Sequence, residues 1–324
     1  MAALSLPGIG AVDQIGSLLL QQLINGLTIG CIYALVALGY SMVYGVLELL
    51  NFAHGELFML GAYVSIFILG GLVTKGPAPL GVLIVVLGLC LVAGMFVSSS
   101  LGVVIEKVAY RPLRYASRLA PILTALGVSI FLQNTTMLVA GRRPWYFPNV
   151  FPTRTYTFAD AQATNLQLVI LFVAAGLMVG LHYLVNRTNY GLAIRAVAED
   201  KDVASLMGID LDRTISSVFV IGPSLGAAAG LLFSLYYGVA FFNMGFLAGI
   251  KAFTAAVLGG IGNIPGAMLG GLLLGVLEAV GAGILPIVSH GVVGAEYKDI
   301  FAFVVLIGVL VFKPTGLMGE RVGR

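Results

Sequence analysis

The chain has 324 residues, of which 59% are apolar and only 10% charged, with a mean hydropathy of +1.04. A soluble globular domain carries about 25% charged residues, so this composition excludes one, and a net charge of +3 gives no electrostatic footprint for nucleic acid. Lipid is the solvent this sequence is written for.

The N-terminal stretch MAALSLPGIGAVDQIG lacks a basic n-region, so no cleaved signal peptide is expected. Apolar blocks then follow near residues 17–46, 52–72, 80–104, 120–140, 166–186, 214–237, 245–262, 264–284 and 299–313. At about 20 apolar residues per span the first block is too long and the last is short. Only Gly-Asn-Ile-Pro separates the two blocks around residue 263. The expectation is an all-α polytopic membrane protein with about eight to ten transmembrane or re-entrant helices, forming one domain over residues 1–324. Cys31 and Cys90 lie in separate blocks and read as small core residues, not as a disulfide or metal pair.

Lys and Arg set the orientation. Lys107, Arg111, Arg114 and Arg118 follow the third block; Arg187, Arg195, Lys201 and Arg213 follow the fifth; Lys313, Arg321 and Arg324 close the chain. The opposite side holds Lys75, Arg142, Arg143, Arg154 and Lys298. Eleven against five places the first set, and the C-terminus, in the cytoplasm.

The stretch ELLNFAHGELFMLGAY, Glu48–Tyr63, sets Glu48, Asn51, His54 and Glu56 between oily blocks. In this topology it lies at the cytoplasmic mouth of the first hairpin, where charged ends reach water and headgroups. Two readings stay open there: a solvated turn, and a gate or partner contact built on Asn51, His54 and Glu56. His182 and His290 belong to other segments, and nothing near His54 makes a metal ligand set or a catalytic base.

The loop 186–213 is mixed in charge and helix-prone between Gly191 and Gly208. Leu192, Ala196, Val203 and Met207 against Arg195, Glu199 and Lys201 predict one short amphipathic helix at the membrane surface. It either rests on headgroups or docks a cytoplasmic motor subunit. The run 249–283 is rich in small-xxx-small spacings, Gly266/Gly270 and Gly271/Gly275, as is Gly222/Gly226/Gly230, which favour close helix packing. Lys251 and Glu278 fall inside this apolar region. They either form an intramembrane pair or leave Lys251 to snorkel outward. YGVLELLN at 44–51 and YGVAFFN at 237–243 also match, on opposite sides of the membrane, as an inverted repeat requires.

There is no G-x-x-x-x-G-K-[ST], H-E-x-x-H, G-x-S-x-G or T-V-G-Y-G, and no arginine ladder. No catalytic, metal or cofactor set is therefore expected. A membrane enzyme would have only Glu48, His54, Glu56 and Glu278 to work with. An ion-coupled secondary carrier is disfavoured by the scarcity of ionisable groups in the spans.

Five stretches together carry a family resemblance: residues 25–63, AYRPLR at 109–114, 186–210, 249–278 and KPTGLMGE at 313–320. They resemble the LivH-type permeases, integral subunits of bacterial ABC importers for branched-chain amino acids; permeases for urea and short amides are similar. The resemblance implies an inner-membrane location and several partners: a second related permease, two cytoplasmic ABC ATPases and a periplasmic binding protein. It implies that Arg195, Glu199, Ala204 and Gly208 belong to an ATPase-coupling segment, with Asn51, His54 and Glu56 near the inner gate or that interface. The external loop 141–165, with Arg142, Arg143, Trp145 and Asp160, would be a docking surface for the binding protein or a plain connector.

Overall fold

The computed structural model describes residues 9–72, 80–114, 116–117, 119–148, 154–158, 161–289, 292 and 294–319. Each apolar block becomes a helix. The long ones are α1 (Ile9–Leu47), α2 (His54–Leu72), α3 (Leu80–Ile105), α4 (Leu119–Ala140), α5 (Asn165–Arg187), α8 (Leu211–Tyr237) and α10 (Ile264–Val288). Among the described residues these seven are long and apolar enough to cross a membrane. Two more, α9 (Met244–Gly259) and α11 (Lys298–Phe312), have 16 and 15 residues. At 1.5 Å per residue they reach about 22–24 Å, short of a hydrocarbon core of about 30 Å. The loop between α5 and α8 holds α6 (Asn189–Glu199) and α7 (Lys201–Leu206). Among the described residues there are also two small antiparallel ribbons: β1 (Trp145–Tyr146) with β4 (Val239–Ala240), and β2 (Thr155–Phe158) with β3 (Ala161–Thr164).

The middle of the bundle is α1, which is almost wholly buried from Thr28 to Val46. Its small residues explain why. A Cβ added at Gly30 would meet the backbone of Leu272 at 2.8 Å, and Gly271 and Gly275 of α10 sit directly on Ala34 and Gly30. The adjacent glycine pair Gly266/Gly270 faces Gly259 and Ala255 of α9. One glycine-rich helix thus packs closely on two neighbours, and close approach is what stabilises helices in lipid, where the hydrophobic effect between them is absent.

The helix neighbours obey an exchange of the two halves. Helix α1 lies along α10 as α8 lies along α3; α2 on α8 matches α9 on α1; α2 with α3 matches α9 with α10; α4 on α2 matches α11 on α9. Helices α1 and α8 run antiparallel, with Gly39 against Gly222 and Tyr33 beside Phe233 and Tyr237. The packing therefore has an inverted-repeat arrangement, with α1/α8, α2/α9, α3/α10 and α4/α11 as counterparts. Its centre is the start of the two helices that begin inside the bundle: a Cβ at Gly245 of α9 would lie 2.5 Å from the carbonyl oxygen of Gly55 in α2.

Candidate functional site

Helix α2 does not begin at the membrane edge. After α1 ends at Leu47, the chain turns through Glu48, which takes a left-handed φ of 57° and donates its amide to the Tyr44 carbonyl at 2.7 Å. It then re-enters the bundle. His54, the first residue of α2, packs its ring 4.7 Å from Tyr40 and lies against Gly39 and Gly226. That contact is seven or eight residues back along α1 from Leu47, about 11 Å of helix.

The solvated-turn reading of Glu48–Glu56 is thereby corrected. Glu48 is exposed, but Asn51 is 3% exposed and both His54 and Glu56 are 0% exposed. The hydropathy of the stretch could place it near a span end, yet it could not reveal that the chain folds back inward. Polar groups carried inward need partners, and α4 and the end of α3 supply them. Glu56 Oε1 accepts from Ser129 Oγ at 2.9 Å and from Gln133 Nε2 at 3.3 Å, both on α4. Asn51 Oδ1 accepts from Tyr110 Oη at 2.7 Å. Asn51 Nδ2 and Glu56 Oε2 have no partner among the described residues.

Tyr110 belongs to a five-residue π-helical continuation of α3, Glu106–Tyr110, followed by a 3-10 turn, Arg111–Leu113. π-helical segments concentrate at functional sites. Here the segment anchors an ion network on the basic face. Glu106, 1% exposed, receives Arg111 Nη2 at 3.0 Å and Arg114 Nη2 at 3.5 Å. The same two arginines reach Asp212 in the first turn of α8 at 3.3 and 2.8 Å, and Ser216 Oγ donates to Glu106 Oε2 at 3.0 Å. In the sequence AYRPLR at 109–114 carries the resemblance and its arginines mark the basic side, but their partners are not visible there, because Glu106, Asp212 and Ser216 are brought together only by folding.

The loop 186–213 is helical, but it forms two helices. Asp200 breaks the expected single helix by capping α7, accepting from the amides of Asp202 and Val203 at 2.9 Å each. The buried face is also different. Gly191, Ile194, Val197 and Ala204 point inward, while Leu192, Val203 and Met207, expected on the apolar face, are exposed, as are Arg195, Glu199 and Gly208. Counted through the break, Gly191, Ile194, Val197 and Ala204 still share one face, which lies opposite the expected apolar one because α6 packs that side on α1, α5 and α8. Arg195 donates to the Val185 carbonyl, tying α6 to the end of α5. Gly208 takes φ +85°, letting the chain turn into α8, where Asp210 accepts from the Arg213 amide at 3.0 Å. Leu206 is 87% exposed, so an apolar tip projects from this loop.

On the face away from the basic loops, Lys251 Nζ lies 3.0 Å from Glu278 Oε1 and 2.8 Å from Asp299 Oδ1. Lys298 Nζ meets the same Glu278 oxygen at 2.8 Å, and Tyr33 Oη donates to Glu278 Oε2 at 2.9 Å. In the sequence Lys298 is only a charge on the outer side and Asp299 only the first residue of the last apolar block; both lie in the first turn of α11. These groups line one end of a cavity of about 230 Å³. Of the external loop, Asp160 lies outside the described residues, and Arg142 and Arg143 are exposed. Trp145 packs edge-to-face on Tyr63, ring centroids 5.7 Å apart, and donates to the Ala140 carbonyl at 2.9 Å.

Residues 22–310 match the family described as the branched-chain amino acid transport system / permease component. The chain belongs to this family. It is 45% identical over 306 residues to the high-affinity branched-chain amino acid transport system permease protein BraD of Pseudomonas aeruginosa, covering 93% of this chain and 96% of that one. Identity and coverage are the same for the corresponding permease protein LivH of Escherichia coli K12. A probable branched-chain amino acid transport permease protein LivH of Methanocaldococcus jannaschii is 26% identical over 286 residues, 88% of each chain. No solved structure matches the chain.

Proposed function

We propose that this chain is the membrane-spanning permease subunit of an ATP-driven importer of branched-chain amino acids. The observation that carries the reading is the 45% identity, across nearly the full length of both chains, to permease proteins named for that transport. In this reading the chain is no enzyme; ATP hydrolysis belongs to two cytoplasmic ABC ATPases, a second related permease completes the path, and a periplasmic binding protein delivers the solute. The protein sits in the bacterial inner membrane with its C-terminus in the cytoplasm, as the Lys/Arg excess on one face supports.

The coupling segment is α6–α7 with the turn at Gly208. Arg195 and Glu199 present charge, Ala204 seats α7 on the bundle, and the exposed Leu206 and Met207 fill an apolar depression on the ATPase. The gate is the start of α2: Asn51, His54 and Glu56 hold a helix that begins inside the bundle, the kind of discontinuous element from which alternating-access paths are built. Tyr110 links the gate to the Glu106 network, which in turn grips the start of α8 directly after the coupling segment. Lys251 and Glu278 act as an intramembrane charge pair on the external side.

The test is uptake in cells lacking this chain, with and without it restored, offering labelled leucine and labelled urea in parallel. Restored leucine uptake that disappears on ATP depletion is the expected result. Urea uptake alone would keep the architecture and replace the solute, and uptake that follows the proton gradient at constant ATP would replace an ABC importer with a secondary carrier.

A further inference from the structure

We infer that the cavity enclosed by α1, α8, α9, α10 and α11 is a binding site for a zwitterionic α-amino acid with an apolar side chain. The inference rests on the importer reading above and names a place in this chain where the solute itself would be held.

The cavity has two chemically distinct ends. One is apolar and aromatic, formed by Phe233, Phe241, Met244 and Leu247. The other holds two ammonium groups, Lys251 and Lys298, and two carboxylates, Glu278 and Asp299, so its formal charge sums to zero. A volume of about 230 Å³ lies below the range of about 300–1,000 Å³ that holds drug-sized ligands. It suits a small solute with one apolar end and one doubly charged end.

The charged groups differ in how firmly they are held. Glu278 is 2% exposed and has three partners, Lys251, Lys298 and Tyr33. Lys298 and Asp299 are partly exposed at the cavity mouth, and each makes a single ion pair. Glu278 therefore keeps Lys251 and Tyr33 when Lys298 swings to an incoming carboxylate. Asp299, partly exposed and paired with Lys251, takes the ligand ammonium as a second cation, beside the ring of Tyr237. A neutral zwitterion completes this exchange without leaving a net charge in the bundle. A solute lacking either charged group leaves a desolvated partner unpaired, which is the costly outcome.

The first turn of α9 contributes Met244 and Leu247 to the apolar end of the cavity. The carboxylate thus has Lys298, and the ammonium has Asp299. The aliphatic side chain has Phe233, Phe241 and Leu247.

The native cysteines, Cys31 and Cys90, are both buried, so an introduced thiol can be read in the full chain. The test places Phe241→Cys in the complete importer, in membrane vesicles, and follows its reaction with a membrane-impermeant thiosulfonate. Tyr146→Cys serves as a control on the same face, and Leu247→Cys as a second position should the first variant not assemble. Leucine is expected to slow labelling in the cavity by about tenfold once the site is largely occupied, and to leave Tyr146→Cys unaffected. Leucine amide, isocaproate and urea are expected to protect far less, and Lys298→Met is expected to abolish protection by leucine. Absence of protection by leucine at both positions overturns the site. Equal protection by isocaproate or leucine amide overturns recognition of the zwitterion. Uptake of labelled leucine by the same vesicles tests the importer reading separately: protection without uptake keeps the site and removes that reading, and uptake without protection does the reverse.

Discussion

The Tyr110 hydroxyl donates a 2.7 Å hydrogen bond to Asn51 Oδ1, joining the π-helical end of α3 to the turn that leads into α2. Both side chains are buried, and the Asn51 amide nitrogen has no partner among the described residues, so this bond is the one that holds the Asn51 side chain. Tyr110→Phe removes the donor and leaves a buried carbonyl unsatisfied, at a cost of about 1–3 kcal/mol. A lower melting temperature in detergent is expected, together with reduced uptake. Asn51→Leu combined with Tyr110→Phe should recover part of the loss, because both polar groups are then gone; a double variant worse than the sum of the two singles would show that the bond is not the link.

The Lys251–Glu278 contact gives a second prediction. Lys251→Met strips a nearly buried carboxylate of one of its two cations, and removing one partner of a buried pair costs about 3–5 kcal/mol. Lys298 stays 2.8 Å from Glu278, so the loss is expected toward the lower end. A double-mutant cycle of Lys251→Met with Glu278→Gln on detergent stability should return a coupling of about 0.5–3 kcal/mol. Coupling near zero would mean that Lys251 is stabilised by snorkelling to the interface instead.

Where α2 and α9 begin, Gly55 and Gly245 leave no room for a side chain. Gly245→Ala is expected to destabilise by at least the about 1–3 kcal/mol typical of overpacking, and Gly245→Leu to prevent accumulation in the membrane. Gly88→Ala is the control, since nothing lies within 4 Å of its added Cβ. Quantifying membrane-inserted protein and its melting temperature separates the two cases. Equal tolerance at both positions would show that the helix starts do not meet as closely as described.

The α6–α7 segment offers a test confined to one surface loop. Glu199 is exposed and Gly208 sits at φ +85°, a region that proline, fixed near −65°, cannot enter. Glu199→Arg and Gly208→Pro are expected to leave the chain in the membrane while ATP hydrolysis no longer drives uptake. Wild-type uptake by both variants would remove this segment from the coupling path.

Hydropathy located every membrane helix, because each apolar block must be helical to satisfy its backbone in lipid. The glycine spacings were likewise legible: Gly271 and Gly275 recur at one face, and that face packs on α1. The short YGV match marked the ends of α1 and α8, which the packing makes counterparts. What the sequence concealed was depth. His54 and Glu56 read as residues at a span edge, yet they lie inside the bundle, since a six-residue connection can return inward when Gly39 and Gly226 leave space for an imidazole.

Composition and pattern alone determined the solvent, the order of the membrane helices and the basic loops, since these depend on transfer free energy and local charge, summed residue by residue. Tertiary structure alone decided which polar groups meet. Glu56 with Ser129, Tyr110 with Asn51, Glu106 with Asp212 through two arginines, and Glu278 with two lysines and a tyrosine are each brought together from different helices. No periodicity encodes these pairings, because each is set by how the glycine-lined surfaces of the helices come into register.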